Sequence, residues 1–229
     1  ARQQGILVTN TPGANSVSVA EMALTLILSL ARQVPFAAQA VIQGQRPRLA
    51  GISLEGKTVG ILGLGAIGRQ LARRLAGFDC RILAYDPFAD AAFAQANAIT
   101  LMKMDEVIAQ ADFISLHMPL MPETRGLVNA AFLNKVKRGA FLVNTARGEI
   151  VDEAALYAAL TAGQLGGAGL DVFHPEPPDP ANPLFKLPQV IATPHLGSQT
   201  DGATNRMGRL ALEECLAVLR GEAPRFRVA

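Results

Sequence analysis

Tryptophan is absent from this 229-residue chain, tyrosine occurs twice, and aromatic residues make up only 5%. A core of stacked rings is excluded, so the apolar half of the sequence has to pack through Ala, Val, Leu and Ile. Cysteine is nearly as scarce. Cys80 and Cys215 are too few for a disulfide framework or a zinc cluster, and they read as small apolar residues in a reducing compartment. No metal site is expected. An excess of one charge is also lacking: 21 basic residues face 19 acidic ones, with no basic block, which leaves no electrostatic footprint for nucleic acid. The most apolar run, Met22 to Ala31, falls short of the roughly 18 residues of a membrane span, and Glu21 and Arg32 flank it. The chain opens Ala1-Arg2-Gln3-Gln4-Gly5 with no apolar run of signal-peptide length behind it. No signal peptide and no membrane partner are expected, and a soluble cytoplasmic protein is the default.

What is present is an apolar chain, 50% hydrophobic and 17% charged, able to fill a sizeable core as one large domain or two small ones. Ile6 to Thr9 reads as a short buried strand, broken by Asn10 to Gly13. Ser18 and Glu21 have capping-box spacing ahead of a helix that is apolar nearly all round. Such a helix is buried on several sides, and Pro35 should bend or split it. From Lys57 onward strands and helices alternate. Strands are predicted at 58–62, 81–85, 112–116, 140–144, 169–172 and 190–192. Helices are predicted at 66–76, 104–110, 130–136, from Asp152 to Gly163, and from Ser198 and Asp201 to about Leu219. Uninterrupted apolar strands alternating with helices mean a parallel sheet covered on both faces.

The strand at 58–62 runs into Gly63-Leu64-Gly65-Ala66-Ile67-Gly68, and a helix follows. Glycine is common, so the spacing alone is weak; strand before and helix after lend it meaning. Gly63 allows the tight turn, Gly65 lets a pyrophosphate approach the backbone, and Gly68 lets helix and strand pack closely. The helix N-terminus adds free N–H groups and partial positive charge. Asp86 follows the next strand. Its carboxylate can accept from a ribose 2′-OH and repels a 2′-phosphate, which favours NAD over NADP.

Three further strand ends carry chemistry. Arg147 lies between a buried strand and Gly148, well placed to grip a carboxylate bidentately, although an isolated Arg is usually a surface residue. Asp171 ends a strand, and Glu176 follows in a proline-rich loop. His195 comes directly after a strand, at the sheet edge where open α/β folds bind ligands, although a lone His is more often structural. Reducing a 2-keto acid needs a carboxylate anchor, a proton donor and a hydride donor. Arg147 suits the first role and His195 the second, with Glu176 orienting the imidazole; spacing alone does not show that the three converge.

The ordered set of motifs resembles the D-isomer-specific 2-hydroxyacid dehydrogenase family, most of all its phosphoglycerate dehydrogenase branch. The matching segments are NTPGANSVSVAE at 10–21, GILGLGAIGR at 60–69, YDP at 85–87, HMPLMPET at 117–124, VNTARGEIVDE at 143–153, GLDVF at 169–173 with Glu176-Pro177, and TPHLG at 193–197. The resemblance implies a Rossmann fold, a doubly wound parallel α/β sheet, with a remnant of a flavodoxin-like substrate domain. It implies Arg147, Glu176 and His195 as the catalytic trio. It implies NAD contacts from Ala66, Ile67, Asp86, Thr145, Ala146, Arg147, Asp171 and the turn of His195, Gly197 and Ser198. Asp171 would help hold the nicotinamide carboxamide. His117, Met118 and Pro119 would border the adenine side, where Met118 departs from the Thr often found.

The resemblance also implies a homodimer formed through the cofactor domain and a small 2-hydroxy or 2-keto acid as substrate. The expected layout is a substrate-domain remnant at 1–12, the NAD-binding domain at 13–199, and a return helix and tail at 200–229. Most of the substrate lobe found in the family has no counterpart here. A glyoxylate or hydroxypyruvate reductase, or an NADH-sensing corepressor of the same fold, would share these motifs.

Overall fold

A computed structural model describes residues 1–229. Seven strands form one sheet: β1 (Thr58–Leu62), β2 (Arg81–Tyr85), β3 (Ile99–Leu101), β4 (Phe113–Leu116), β5 (Ala140–Asn144), β6 (Leu165–Leu170) and β7 (Val190–Ala192). All pairings are parallel, in the spatial order β3-β2-β1-β4-β5-β6-β7. The helices are α1 (Ser16–Arg32), α2 (Val34–Ile42), α3 (Ala66–Leu75), α4 (Ala91–Ala96), α5 (Met104–Gln110), α6 (Ala130–Leu133), α7 (Glu153–Thr161) and α8 (Asp201–Leu219).

Strand alternation divides the core into two layers. Val59, Ile61, Ile82 and Val143 pack with Leu26 and Ile27 of α1 and Leu71 and Leu75 of α3. Leu62, Leu83, Leu116 and Leu142 pack on the other face with Val107 and Ile108 of α5 and Leu156 of α7. A sheet buried on both faces explains the continuous apolar strands.

Register decides where the site lies. Leu62 pairs with Tyr85 and with Leu116, Leu116 with Asn144, Asn144 with Leu170, and Leu170 with Ala192. The residues that follow, Asp86, Gly63, His117, Thr145, Asp171 and Thr193, therefore leave the sheet side by side along one edge. The order reverses between β1 and β4, which opens a crevice there.

Several expectations are corrected. Ile6, Leu7 and Val8 are 58%, 41% and 36% exposed, not a buried strand. The segment forms one bridge, Thr9 to Arg227, and bonds at Val8 and Asn10 to residues 226–229, with no second layer over its apolar side chains. Ser18 and Glu21 form no capping box. The helix begins earlier, at Ser16, and Ser18 Oγ bonds Thr200 Oγ1 at 2.6 Å while Glu21 pairs with Arg74 at 2.9 Å. Helix α6 stops at Leu133 rather than 136, because the chain turns away so that the Lys137 N–H reaches the Ile108 carbonyl. Strand β6 covers Leu165–Leu170 rather than 169–172; pairing on both sides overrides the poor strand propensity of its glycines. Helix α4 and strand β3 lie in a stretch for which the sequence signals no element. The expected break at Pro35 is present: Gln33 adopts φ 53° and α1 meets α2 at 62°. No single helix is long and apolar enough to cross a membrane.

Candidate active site

The glycine turn is built for close approach. Gly63 has φ +100°, and a Cβ there would lie 2.7 Å from the His117 carbonyl carbon, so only glycine fits. A Cβ on Gly68 would overlap the Gly63 carbonyl oxygen. A Cβ on Gly65 would meet nothing within 4 Å; its side faces open space at the start of α3. No side chain caps α3 and no acid lies in its first turn, so the backbone donors and partial positive charge there remain available to an anion. Asp86 braces the turn: Oδ2 accepts from the Leu64 N–H at 2.7 Å and Oδ1 from the Phe88 N–H at 2.8 Å. Room at Gly65, an uncapped helix end and a carboxylate at the tip of β2 fit a dinucleotide.

Arg147 projects from the turn after β5. Asn144, 1% exposed, closes that turn: its Nδ2 donates to the Arg147 carbonyl at 2.8 Å, and its Oδ1 accepts from the Ala146 N–H at 3.0 Å. Gly148 is required beside it, since a Cβ there would overlap the Phe173 backbone. This contact locks the arginine turn against the segment that carries Glu176. The Phe173 N–H in turn donates to Glu176 Oε1 at 3.0 Å.

Glu176 Oε2 lies 2.9 Å from His195 Nδ1. A carboxylate only accepts, so Nδ1 carries the proton and Nε2 is left for chemistry. Partial burial pushes the Glu176 carboxyl up. The bonds from His195 and the Phe173 amide, with the charges of His195 and Arg147, outweigh it and hold the carboxyl below the usual range. His195 adopts φ 55°, an uncommon conformation for a residue with a Cβ. Asp171, 1% exposed, imposes it. Its carbonyl accepts from the His195 N–H at 2.8 Å, Oδ1 accepts from Leu196 N–H at 2.8 Å and from the Thr193 hydroxyl at 2.6 Å, and Oδ2 accepts from Gly197 N–H at 2.8 Å.

A cleft of about 500 Å³ joins these parts. Of the residues expected from sequence, Ile67, His117, Met118, Pro119, Thr145, Ala146, Arg147, Asp171, His195, Gly197 and Ser198 line it. Gly63, Gly65, Ala66, Gly68 and Asp86 form the adjoining phosphate end, and Glu176 stands behind His195. Asn15, Val19 and Leu120 line the same cleft and were not expected; nor was the supporting part played by Asn144 and Thr193. All five fall inside segments already singled out as motifs, yet a contact distant in sequence leaves no local signal.

His117 lines the cleft beside Met118. Its Nε2 bonds Ser115 Oγ at 2.9 Å, and its Nδ1 is buried without a partner, as is Thr145 Oγ1. Burial pushes the ring's pKa down from 6.5 to about 4. Between those values the unfolded chain binds a proton that the folded chain refuses, so stability falls as pH drops through that window. The loss from this group should reach at most about 3 kcal/mol near pH 4. Urea titrations at pH 7 and pH 4 should show a smaller difference for His117→Gln than for the parent; an equal difference would remove His117 as the cause.

The sequence profile of the family described as "D-isomer specific 2-hydroxyacid dehydrogenase, NAD binding domain" matches residues 24–197. A D-3-phosphoglycerate dehydrogenase of Archaeoglobus fulgidus is 42% identical over 223 residues, covering 96% of this chain and 42% of that protein. The chain thus spans less than half the length of that relative. A glyoxylate reductase of Korarchaeum cryptofilum is 40% identical over 230 residues, covering 98% of this chain and 69% of its own length. The crystal structure of the TT0316 protein from Thermus thermophilus superimposes with a TM-score of 0.93 at 40% identity, covering 100% of this chain and 73% of that one. The glycine turn, the parallel sheet and these matches agree: the chain belongs to the D-isomer specific 2-hydroxyacid dehydrogenase family and carries its NAD-binding domain.

Proposed function

We propose that the protein is an NAD-dependent oxidoreductase that interconverts a D-2-hydroxy acid and the 2-keto acid, with a substrate of the D-3-phosphoglycerate kind. The observation that carries this reading is His195, oriented through Nδ1 by Glu176 at 2.9 Å, in the same cleft as Arg147, whose Nη1 donates to the Ala146 carbonyl at 2.6 Å. When bound, the reduced nicotinamide supplies the hydride for C2. Arg147 grips the substrate carboxylate. His195 delivers the proton from Nε2 to the carbonyl oxygen, and in the other direction it takes that proton as a base. Glu176 keeps Nδ1 protonated and stabilises the imidazolium. Asp86, at the ribose end, selects NAD over NADP.

A glyoxylate reductase-like substrate range is the second reading, favoured by the Korarchaeum cryptofilum relative, most of whose length the chain matches. The reading includes a homodimer through the cofactor domain. Support comes from α2, whose Val34, Phe36, Val41 and Ile42 are exposed, and from an adjacent apolar hollow of about 420 Å³ with no titratable lining side chain. It also includes residues 1–12 and 200–229 as parts of a second lobe around an NAD-binding domain at 13–199, supported by the bonds between Val8, Asn10 and residues 226–229. The cytoplasm is the proposed compartment, in keeping with two unpaired cysteines.

A fluorescence titration with NADH and NADPH, followed by a panel of phosphohydroxypyruvate, hydroxypyruvate, glyoxylate and pyruvate, tests these points. NADH should bind more tightly than NADPH, and the phosphorylated acid should turn over fastest. NADH binding with no turnover on any acid would mark this chain as a cofactor-binding unit inactive alone, and the same result in a chain carrying the family's substrate lobe would overturn the enzymatic reading; equal affinity for the two cofactors would overturn the role of Asp86.

A further inference from the structure

Two consecutive peptide planes of the glycine turn are held by side chains, one through its N–H and one through its C=O. The Leu64 N–H, in the Gly63–Leu64 peptide, donates to Asp86 Oδ2 at 2.7 Å. The Leu64 carbonyl, in the Leu64–Gly65 peptide, accepts from Arg69 Nε at 3.1 Å. The C=O and N–H of a trans peptide point in opposite directions, so a grip on the Leu64 carbonyl also aims the Gly65 N–H. That N–H donates to no protein acceptor, and Gly65 is exposed. The Arg69 backbone N–H bonds the Gly65 carbonyl at 3.0 Å, so one residue grips two successive carbonyls. The Arg69 side chain is braced in turn by the start of α4. Its guanidinium carbon lies 4.8 Å from the centre of the Phe93 ring, and Nη1 pairs with Asp90 Oδ2 at 3.3 Å. Asp90 caps α4 through Oδ1, which accepts from the Phe93 N–H at 3.1 Å.

The turn needs such a grip. Leu64, 1% exposed, is anchored by its side chain. That anchor fixes its Cα and leaves the peptide plane behind it free to flip. A flip changes ψ of Leu64 and φ of Gly65 in opposite senses and barely moves the chain on either side. It would turn the Gly65 φ of −72° positive, which costs glycine little. The glycine that leaves room for a ligand therefore also leaves the turn loose. We infer that Arg69 is a positioning residue for the pyrophosphate turn, holding the Leu64–Gly65 peptide with its N–H turned outward to meet a cofactor phosphate. A flipped plane would present the Leu64 carbonyl oxygen instead, which repels a phosphate. Only the unflipped fraction binds, so the apparent dissociation constant rises as that fraction falls.

The inference rests on NAD binding and not on the proposed reaction, so it is tested without turnover. Arg69→Gln and Arg69→Met are both uncharged and equally long. Glutamine can place an amide nitrogen where Arg69 has Nε, and methionine places a methyl group there. Both lose the Asp90 pair and the guanidinium over Phe93, so those losses cancel in the comparison. In the 229-residue chain, the NADH dissociation constant should rise about fivefold to tenfold in Arg69→Met and stay within about twofold in Arg69→Gln. Adenosine, which has no phosphate, should bind the parent and both variants alike, while ADP should follow NADH. The Gly65 amide nitrogen should show microsecond-to-millisecond exchange in ligand-free Arg69→Met, and saturating ADP should quench it. The parent and Arg69→Gln should show none. Equal NADH affinity in the two variants, whether like the parent or weaker, would overturn the inference. So would a loss shared by adenosine, or weakened NADH binding with a quiet Gly65 amide. Failure of the parent chain to bind NADH or ADP would count against NAD binding by this chain and leave exchange at Gly65 to judge Arg69. A methionine variant that does not fold is replaced by Arg69→Ala, which removes the same donor and suits a helix, with the same expectations.

Discussion

Replacing His195 with glutamine is expected to lower kcat by about a hundredfold to ten-thousandfold, the range that general acid–base groups supply. Glutamine is uncharged and carries no titratable proton, so the variant loses both the proton donor and the pairing of Nδ1 with Glu176. NADH affinity should change little, since the glycine turn and Asp86 lie at the other end of the site. The loss should therefore fall on kcat rather than on the cofactor's dissociation constant, which stopped-flow turnover beside a fluorescence titration will separate. Near-parent turnover in the glutamine variant would sink the mechanism, because no other side chain in the cleft is placed to donate a proton at that position. His117 lines the cleft as well, but its ring is pushed down to about 4 and bonded to Ser115, so it cannot take over.

Gly65→Ala should separate binding from folding. Gly65 has φ −72°, which alanine adopts without strain, and its Cβ would meet no protein atom within 4 Å. The melting temperature should stay close to the parent's. NADH affinity should nevertheless fall by about tenfold to a hundredfold, because the new methyl group enters the space through which a pyrophosphate approaches the start of α3. Gly68→Ala provides the contrast. Its Cβ would overlap the Gly63 carbonyl, so thermal stability and binding should fall together. If Gly65→Ala binds NADH like the parent, the open face of that glycine is not the pyrophosphate site.

Much of this was legible in sequence, and unevenly so. Strands 58–62, 81–85 and 140–144 lie where apolar runs placed them, because a strand buried on both faces is written into consecutive side chains, and the edge strand 190–192 also lies where expected. The Gly63–Gly68 spacing was equally plain, since the need for glycine is a local steric one. Helix ends were less so. Asn129 and Asp152 cap α6 and α7 with their side chains, as such residues do. Ser18, by contrast, had capping-box spacing but was drawn instead to Thr200, 182 residues away. Ile6 to Val8 had the pattern of a buried strand and remains exposed, because an apolar run records what a segment could pack against and not what is there.

The residue types alone determined which groups are available for the proposed chemistry: a guanidinium and an imidazole after strands, a carboxylate in a loop, and a glycine turn for a dinucleotide. Those follow from side-chain chemistry and from the period of the apolar pattern, both of which a linear sequence carries. Only the tertiary structure decided that the groups meet. The parallel register of Leu62, Leu116, Asn144, Leu170 and Ala192 sets Gly63, His117, Thr145, Asp171 and Thr193 on one edge. It also decided that Asp171 is engaged by Thr193, Leu196 and Gly197, because a hydrogen bond depends on where two groups lie in space, and spacing along the chain does not specify that.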